Sequence, residues 1–260
     1  MDEEKIFGYI QKQMATVPLK AKEIIHDPIT QRMLPERSAF LKLKQDVDGF
    51  FSLLSPRLIL MPGLRGTGKT TLLFQIYNYL IQRKIPQESI LYVTMDDVSN
   101  VLGSGLVDLI EVYEKKILKT PLESLQDKIF LLIDESHYDK KWAVTLKTLY
   151  DRTNKLFVLA TGSSALELET TTDLARRSKI EHIFPLNLQE YLSLKINIYP
   201  ERGTSEKIRD ALFASDPKES YERFRNVNDS LIGKILTKIP LFDTELENYL
   251  TIGGFPFSFK

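Results

Sequence analysis

The segment Gly63-Leu64-Arg65-Gly66-Thr67-Gly68-Lys69-Thr70 fits the spacing G-x-x-x-x-G-K-[ST] at every position. Each residue type has a chemical reason to be there. Glycines let successive backbone N–H groups turn into one cavity and hold an anion. A helix starting near Lys69 would add the positive end of its dipole. The Lys69 ammonium then reaches the outer phosphates of a polyphosphate, and the Thr70 hydroxyl is placed to ligate Mg²⁺. The candidate ligand-binding set is therefore Gly63, Leu64, Arg65, Gly66, Thr67, Gly68, Lys69, Thr70 and Thr71.

A second chemical element follows an apolar run, Ile129-Phe130-Leu131-Leu132-Ile133, which ends in Asp134-Glu135. In parallel sheets ligands bind beyond the carboxyl ends of the strands, so a carboxylate pair at that end is well placed. Asp134 is the candidate metal ligand alongside Thr70. Glu135 is the candidate base that orients or deprotonates an attacking water. Thr161-Gly162-Ser163-Ser164 closes a further apolar run. Its hydroxyls, with Ser163 as the candidate catalytic one, either position that water or cap the helix beginning near Ala165. Arg177, Arg176 and Arg65 are candidates for neutralising transition-state charge, or are solvated surface charges. His137, beside Glu135, either reports nucleotide state or makes one loop hydrogen bond. Asp96 and Asp97 mark a strand-ending turn or touch the metal site, and Trp142 belongs to a core stripe.

The elements that must hold these groups are legible in the hydropathy pattern. Leu58–Met61, Ser89–Thr94, Ile129–Ile133 and Leu156–Ala160 are short apolar runs, with a weaker fifth at Lys179–Phe184. They alternate with helix-period segments, Thr71–Lys84 (Leu72, Ile76, Leu80) and the Trp142, Leu146, Leu149 stripe. Strands apolar on both faces and separated by helices predict a parallel sheet covered on both sides, an α/β fold. Before residue 55 the chain reads as helical and amphipathic, interrupted by Pro18, Pro28 and Pro35. Phe40, Leu43, Val47, Phe50, Phe51 and Leu54 share one face there. After residue 186 the strand signal stops, and Asn187–Ile198, Ser205–Ala214, Pro217–Lys238 and Leu241–Leu250 read as helices. The expected organisation is an N-terminal helical extension over 1–36, a core over 37–186 and a small helical subdomain, or lid, over 187–260.

Composition limits the alternatives. In 260 residues, 35 Lys and Arg balance 35 Asp and Glu, so no net field draws the chain to nucleic acid or an anionic membrane. Cysteine is absent, which excludes disulfides and thiolate metal sites, and His26, His137 and His182 are too far apart in sequence for a local metal-ligand pair. The longest apolar runs are far shorter than the roughly twenty residues a bilayer span needs. The acidic start, Met1-Asp2-Glu3-Glu4, lacks the form of a signal peptide. The expectation is a cytoplasmic protein with no membrane partner.

Taken together these residues resemble the prokaryotic, largely archaeal, P-loop ATPases of the AAA superfamily, over about residues 37 to 256. The resemblance rests on Gly63 to Thr71 and on Ile133-Asp134-Glu135-Ser136-His137-Tyr138 running into Trp142, Leu146-Lys147 and Tyr150-Asp151. It rests also on Thr161-Gly162-Ser163-Ser164, Phe184-Pro185-Leu186, Glu190-Tyr191-Leu192, Tyr249-Leu250 and Gly253-Gly254-Phe255-Pro256. It implies a five-stranded sheet ordered 5-1-4-3-2, ATP or ADP and Mg²⁺ as ligands, and Asp134 and Glu135 as the Walker B pair. It also implies a sensor role near Ser163. Where the family has Gly-Arg this chain has Arg176-Arg177, so Arg177 takes the arginine position. Such ATPases commonly continue into a winged-helix segment and a nuclease-like domain of unknown role, so the chain reads as a truncated product. Mg²⁺-dependent ATP hydrolysis coupled to conformational change is the expected function. The alternative is a nucleotide-gated switch that regulates a protein partner with negligible turnover. A DNA partner and an oligomer supplying an arginine in trans are left open.

Overall fold

The computed structural model describes residues 2–52, 56–163, 172–196, 204–238 and 242–256. The chain divides into two units, Met1–Phe184 and Pro185–Lys260. In the first, the apolar runs form β1 (Leu58–Pro62), β2 (Ile90–Thr94), β3 (Ile129–Asp134), β4 (Leu156–Gly162) and β5 (Lys179–Ile180). Every pairing is parallel and the order is β2-β3-β4-β1-β5, the expected 5-1-4-3-2 read from the other edge.

Because successive strand side chains point to opposite faces, each doubly apolar run feeds two cores. Leu58, Leu60, Leu91, Val93, Leu131 and Val158 share one with residues of α4 (Leu106–Val112) and α5 (Trp142–Arg152). Ile59, Met61, Tyr92, Phe130, Leu132 and Phe157 share the other with α2 (Ser38–Phe51) and α3 (Lys69–Gln82). The predicted stripes supply these contacts: Leu72, Ile76 and Leu80 of α3 are buried, as are Trp142, Leu146 and Leu149 of α5. The helix α4 has no counterpart in the sequence reading. A seven-residue element spans barely two turns, too short for a periodic signal.

The N-terminal segment departs from expectation. Pro18 does not interrupt the chain: α1 runs unbroken from Glu3 to Ile24 with Pro18 inside it. A mid-helix proline removes the N–H that would bond the carbonyl four residues earlier. That carbonyl belongs to Met14, and the Gln87 side-chain amide donates to it instead. Ile6 and Ile10 of α1 join one core while Val17 and Ala21 join the other, so residues within 1–36 are part of the first unit. Edge strands carry unpaired backbone groups, and β2 is an edge strand. There the Tyr9 hydroxyl accepts from the Thr94 N–H at 3.1 Å and faces the Thr94 carbonyl at 3.5 Å. Gln87→Ala is expected to cost about 1 kcal/mol, or a Tm drop of about 2–4 °C. Pro18→Ala in the same chain restores a backbone donor and should recover much of that loss in thermal unfolding.

The fifth strand pairs as a two-residue ladder, but its predicted length survives in hydrogen bonds: Glu181 N–H donates to Leu60 O and Ile183 N–H to Pro62 O, each at 2.9 Å. α6 (Thr172–Ala175) precedes it.

The second unit holds α7 (Leu188–Ile196), α8 (Thr204–Leu212), α9 (Pro217–Lys238) and α10 (Phe242–Ile252), close to the four predicted helices. Among its described residues there is no strand to form a wing. Asn187 caps α7 by accepting from Glu190 N–H, with Glu190 answering onto Asn187 N–H. The buried Tyr191 donates to Glu245, which also pairs with Lys195. The Leu186 N–H donates to Gly254 O at 2.6 Å, and the Tyr249 hydroxyl donates to Leu186 O at 3.0 Å. The scattered signature residues at 186, 190–191, 249 and 254 thus fasten this unit together.

Candidate nucleotide-binding site

β1 ends at Pro62 and α3 begins at Lys69, so Gly63–Gly68 bridge the carboxyl end of a central strand and a helix N-terminus. Gly66 and Gly68 hold φ of 83° and 90°, and Gly68 is the left-handed N-cap of α3 with no side-chain cap bond. The first N–H groups of α3 are therefore left for an anion. Leu64 and Arg65 form the exposed tip, while Thr67 is fully buried and its hydroxyl donates to Leu64 O at 2.9 Å. Lys69 is only 6% exposed. Its ammonium folds onto the loop, donating to Gly63 O at 2.8 Å and Leu64 O at 3.0 Å. Burial lowers its pKa from the ordinary lysine value, and the charges of Glu135 and then Asp134 act against that shift. A desolvated cation among carbonyls and carboxylates is poised to exchange weak partners for phosphate oxygens.

Gly63 is constrained by close approach. A Cβ there would stand 2.5 Å from the Ile183 carbonyl oxygen, a backbone atom that cannot swing away. Gly63→Ala is expected to lose about 1–3 kcal/mol and to weaken ligand binding with it. Gly8→Ala in α1 meets nothing within 4 Å and should gain about 0.5–1 kcal/mol. Paired denaturation curves check both.

The acidic pair stands beside the loop. Asp134, the last residue of β3, is buried and accepts from Thr70 Oγ1 at 2.7 Å, Thr161 Oγ1 at 2.5 Å and, more distantly, the Tyr92 hydroxyl at 3.3 Å. Burial and then the Asp134 charge push the Tyr92 phenol pKa well up, so Tyr92 stays a donor. Thr161 also accepts from the Glu135 N–H at 2.9 Å. Glu135 takes a left-handed conformation, φ 55° and ψ 48°. That costs a side-chain-bearing residue roughly 1–2 kcal/mol and turns Glu135 out of the strand's path. Backbone strain of this kind collects where function holds it.

Thr70 and Asp134 offer hard oxygen donors in contact across the loop, and a hard divalent cation is held by such donors together with substrate phosphates. Among the described residues no group of three or more His, Asp or Glu forms a metal cage. A magnesium ion bound in part through a nucleotide needs none. The donor set fits Mg²⁺.

The structure thus gathers Gly63, Leu64, Arg65, Gly66, Thr67, Gly68, Lys69, Thr70, Asp134 and Glu135 at one end of the sheet, with Thr71 in the first turn of α3. Ser163 follows β4 at the same end, but within the Thr161–Ser163 segment the hydroxyl that touches the acidic pair is that of Thr161. Ser164 lies outside the described residues. Arg177 is not brought to this site. Its guanidinium clasps Asp151 at 2.8 and 3.2 Å and donates to Asp173 O at 2.8 Å. Asp151 lies in the last turn of α5, ahead of β4, and Lys179 starts β5 beside Ile59, which puts Arg177 at the opposite end of the strands. Asp96 and Asp97 are exposed just past β2. No motif in the sequence marks Arg37, which donates to Thr67 O at 2.5 Å and Phe184 O at 2.9 Å, or Tyr92. A tyrosine inside an apolar strand was the available signal for the latter, since a buried hydroxyl needs a partner.

A strand–loop–helix of this spacing, facing paired acids at the strand ends of a parallel sheet, defines a P-loop domain of the nucleotide-binding, ATPase type. The family described as "AAA domain" matches residues 55–192, and the chain belongs to it. Among curated proteins it is 37% identical over 218 residues to an uncharacterised protein of Methanocaldococcus jannaschii, covering 84% of this chain and 42% of that protein. It is 33% identical over 135 residues to an uncharacterised protein of Haemophilus influenzae, covering 51% of this chain and 32% of that one. The chain spans less than half the length of these relatives. Among solved structures it is similar to AMPPCP-bound DnaA from Aquifex aeolicus, with TM-score 0.43 and 16% identity, covering 83% of this chain and 70% of that one. No helix among the described residues is long and apolar enough to cross a membrane.

Proposed function

We propose that this chain binds ATP with Mg²⁺ at Gly63–Thr71 and hydrolyses it, coupling the reaction to a change of conformation. The observation that supports this best is the contact of Thr70, Asp134 and Thr161 immediately beside the buried Lys69 ammonium. In this reading the loop N–H groups and Lys69 hold the phosphates. Thr70 and Asp134 hold the magnesium ion, which when bound would neutralise charge on the phosphate oxygens. Thr161 fixes Asp134 and the Glu135 backbone, and Glu135 orients a water and accepts its proton. Ser163 is close enough in sequence to contribute a hydroxyl. Arg177 is engaged elsewhere in its own chain, so an arginine acting here would be another of this chain, Arg65 in the loop among them, or one from a second copy.

Isothermal titration of the chain with Mg-ATP tests the binding step, and phosphate release tests the chemistry. Saturable heat with turnover supports the proposal, and absence of heat overturns it. Binding with less than about one turnover per hour, against a typical enzyme rate nearer 10 per second, would leave the nucleotide-gated switch instead.

A further inference from the structure

Directly after Glu135 the chain makes one tight helical turn, Ser136–Tyr138. This turn is pinned on both sides. Ser136 Oγ donates to Thr161 O at 2.9 Å, and the Asp139 carboxylate accepts from Leu106 N–H, at the start of α4, also at 2.9 Å. His137 sits in the middle of it, its ring against that of Tyr138 with centroids 4.8 Å apart. The Nδ1 atom of His137 is buried and makes no hydrogen bond. Leaving a buried polar atom unpaired costs about 1–3 kcal/mol, so native chains seldom leave one without a use. The acceptor this nitrogen faces is Glu135 Oε2, 3.3 Å away. A small rotation of either side chain closes the bond, and catalytic hydrogen bonds are often loose before ligand arrives. Among the described residues the Glu135 carboxylate has no hydrogen-bond partner of its own.

We propose that His137 is a positioning residue for Glu135: its Nδ1–H closes onto Oε2, fixes the carboxylate plane and leaves Oε1 to accept from the attacking water. The imidazole touches neither nucleotide nor water. It acts through Glu135, as a third group orients a base in other catalytic constellations. The proposal rests on the reading of Glu135 as the base.

Steady-state hydrolysis and an activity-independent measurement test it together. In His137→Ala, kcat is expected to fall about 10- to 100-fold, the cost of a misaligned catalytic group, with KM for ATP unchanged. His137→Asn, whose amide can stand where Nδ1 stood, should recover much of the rate. In a Glu135→Gln chain His137→Ala should cost nothing further. An unchanged kcat, a change carried by KM alone, or an asparagine no better than alanine overturns the proposal. Nitrogen-15 spectra of the imidazole at about pH 8.5, where an ordinary histidine is neutral, read the pair without turnover. The Nδ1–H tautomer is expected in the native chain and the Nε2–H tautomer in Glu135→Ala. Nε2–H in the native chain refutes the pairing. A chain that shows no turnover but carries the Nδ1–H tautomer would sink the hydrolysis reading and leave the pair standing.

Discussion

Lys69→Ala is expected to weaken Mg-ATP binding by roughly 100- to 1000-fold, and hydrolysis at ordinary nucleotide concentrations should vanish with it. The magnitude follows from two charge-assisted hydrogen bonds to phosphate, together about 3–4 kcal/mol. Those bonds replace the present ones to Gly63 O and Leu64 O. The free protein should not suffer in proportion. Lys69 is a buried cation whose burial already disfavours its charge, so removing it relieves a desolvation cost even as two loop carbonyls lose a donor. A melting temperature within a few degrees of the native one, with binding heat gone in calorimetry, is the expected pair of results. Undiminished binding in a folded Lys69→Ala chain would show that the loop does not hold phosphate.

Glu135→Gln should separate binding from chemistry. The amide keeps the size of the side chain and a backbone equally able to adopt φ 55°, so the loop, Thr70 and Asp134 remain in place. What is lost is a group able to take a proton, worth typically 10²–10⁴-fold in rate. The expected outcome is an affinity for Mg-ATP within a few-fold of native and phosphate release lower by about that factor. Single-turnover measurement distinguishes slow chemistry from slow product release. Native-like turnover in this variant would move the base to another residue, and Ser163 and a water chain would then need reconsidering.

Much of this site is legible in the sequence because its parts are local. The phosphate loop is one strand-to-helix turn, and glycine at its left-handed positions is dictated by backbone sterics. Asp134 and Glu135 terminate an apolar run whose doubly apolar character already says buried parallel strand. The five-strand order came from resemblance and not from any spacing, since hydropathy carries no strand adjacency. The hydroxyl beside the acids illustrates where local reading stops. Thr161 and Ser163 are equally polar residues at the end of the same run. Their roles differ because β4 pairs with β1 as far as Gly162, and Ile133 pairs with Ala160, so the next residues along, Asp134 and Thr161, meet. The Ser163 side chain falls past the ladder.

The arginine and the first helix show the same division from the other side. Arg177 carries the right charge at a position matching the family, yet two separate hydrogen bonds to the Asp151 carboxylate hold it where the strands begin. Pro18 reads as a break because locally it is one. Gln87, far along the chain, supplies the donor that lets α1 continue. Residue types and short spacings, acting through sterics and burial, determined the strands, the phosphate loop and its acidic partners. Strand register and the meeting of distant segments decided which hydroxyl serves them, which arginine does not, and that His137 faces Glu135 across a turn pinned at both ends. Those choices depend on distances of a few ångströms between groups far apart in the chain, and no pattern along one dimension encodes them.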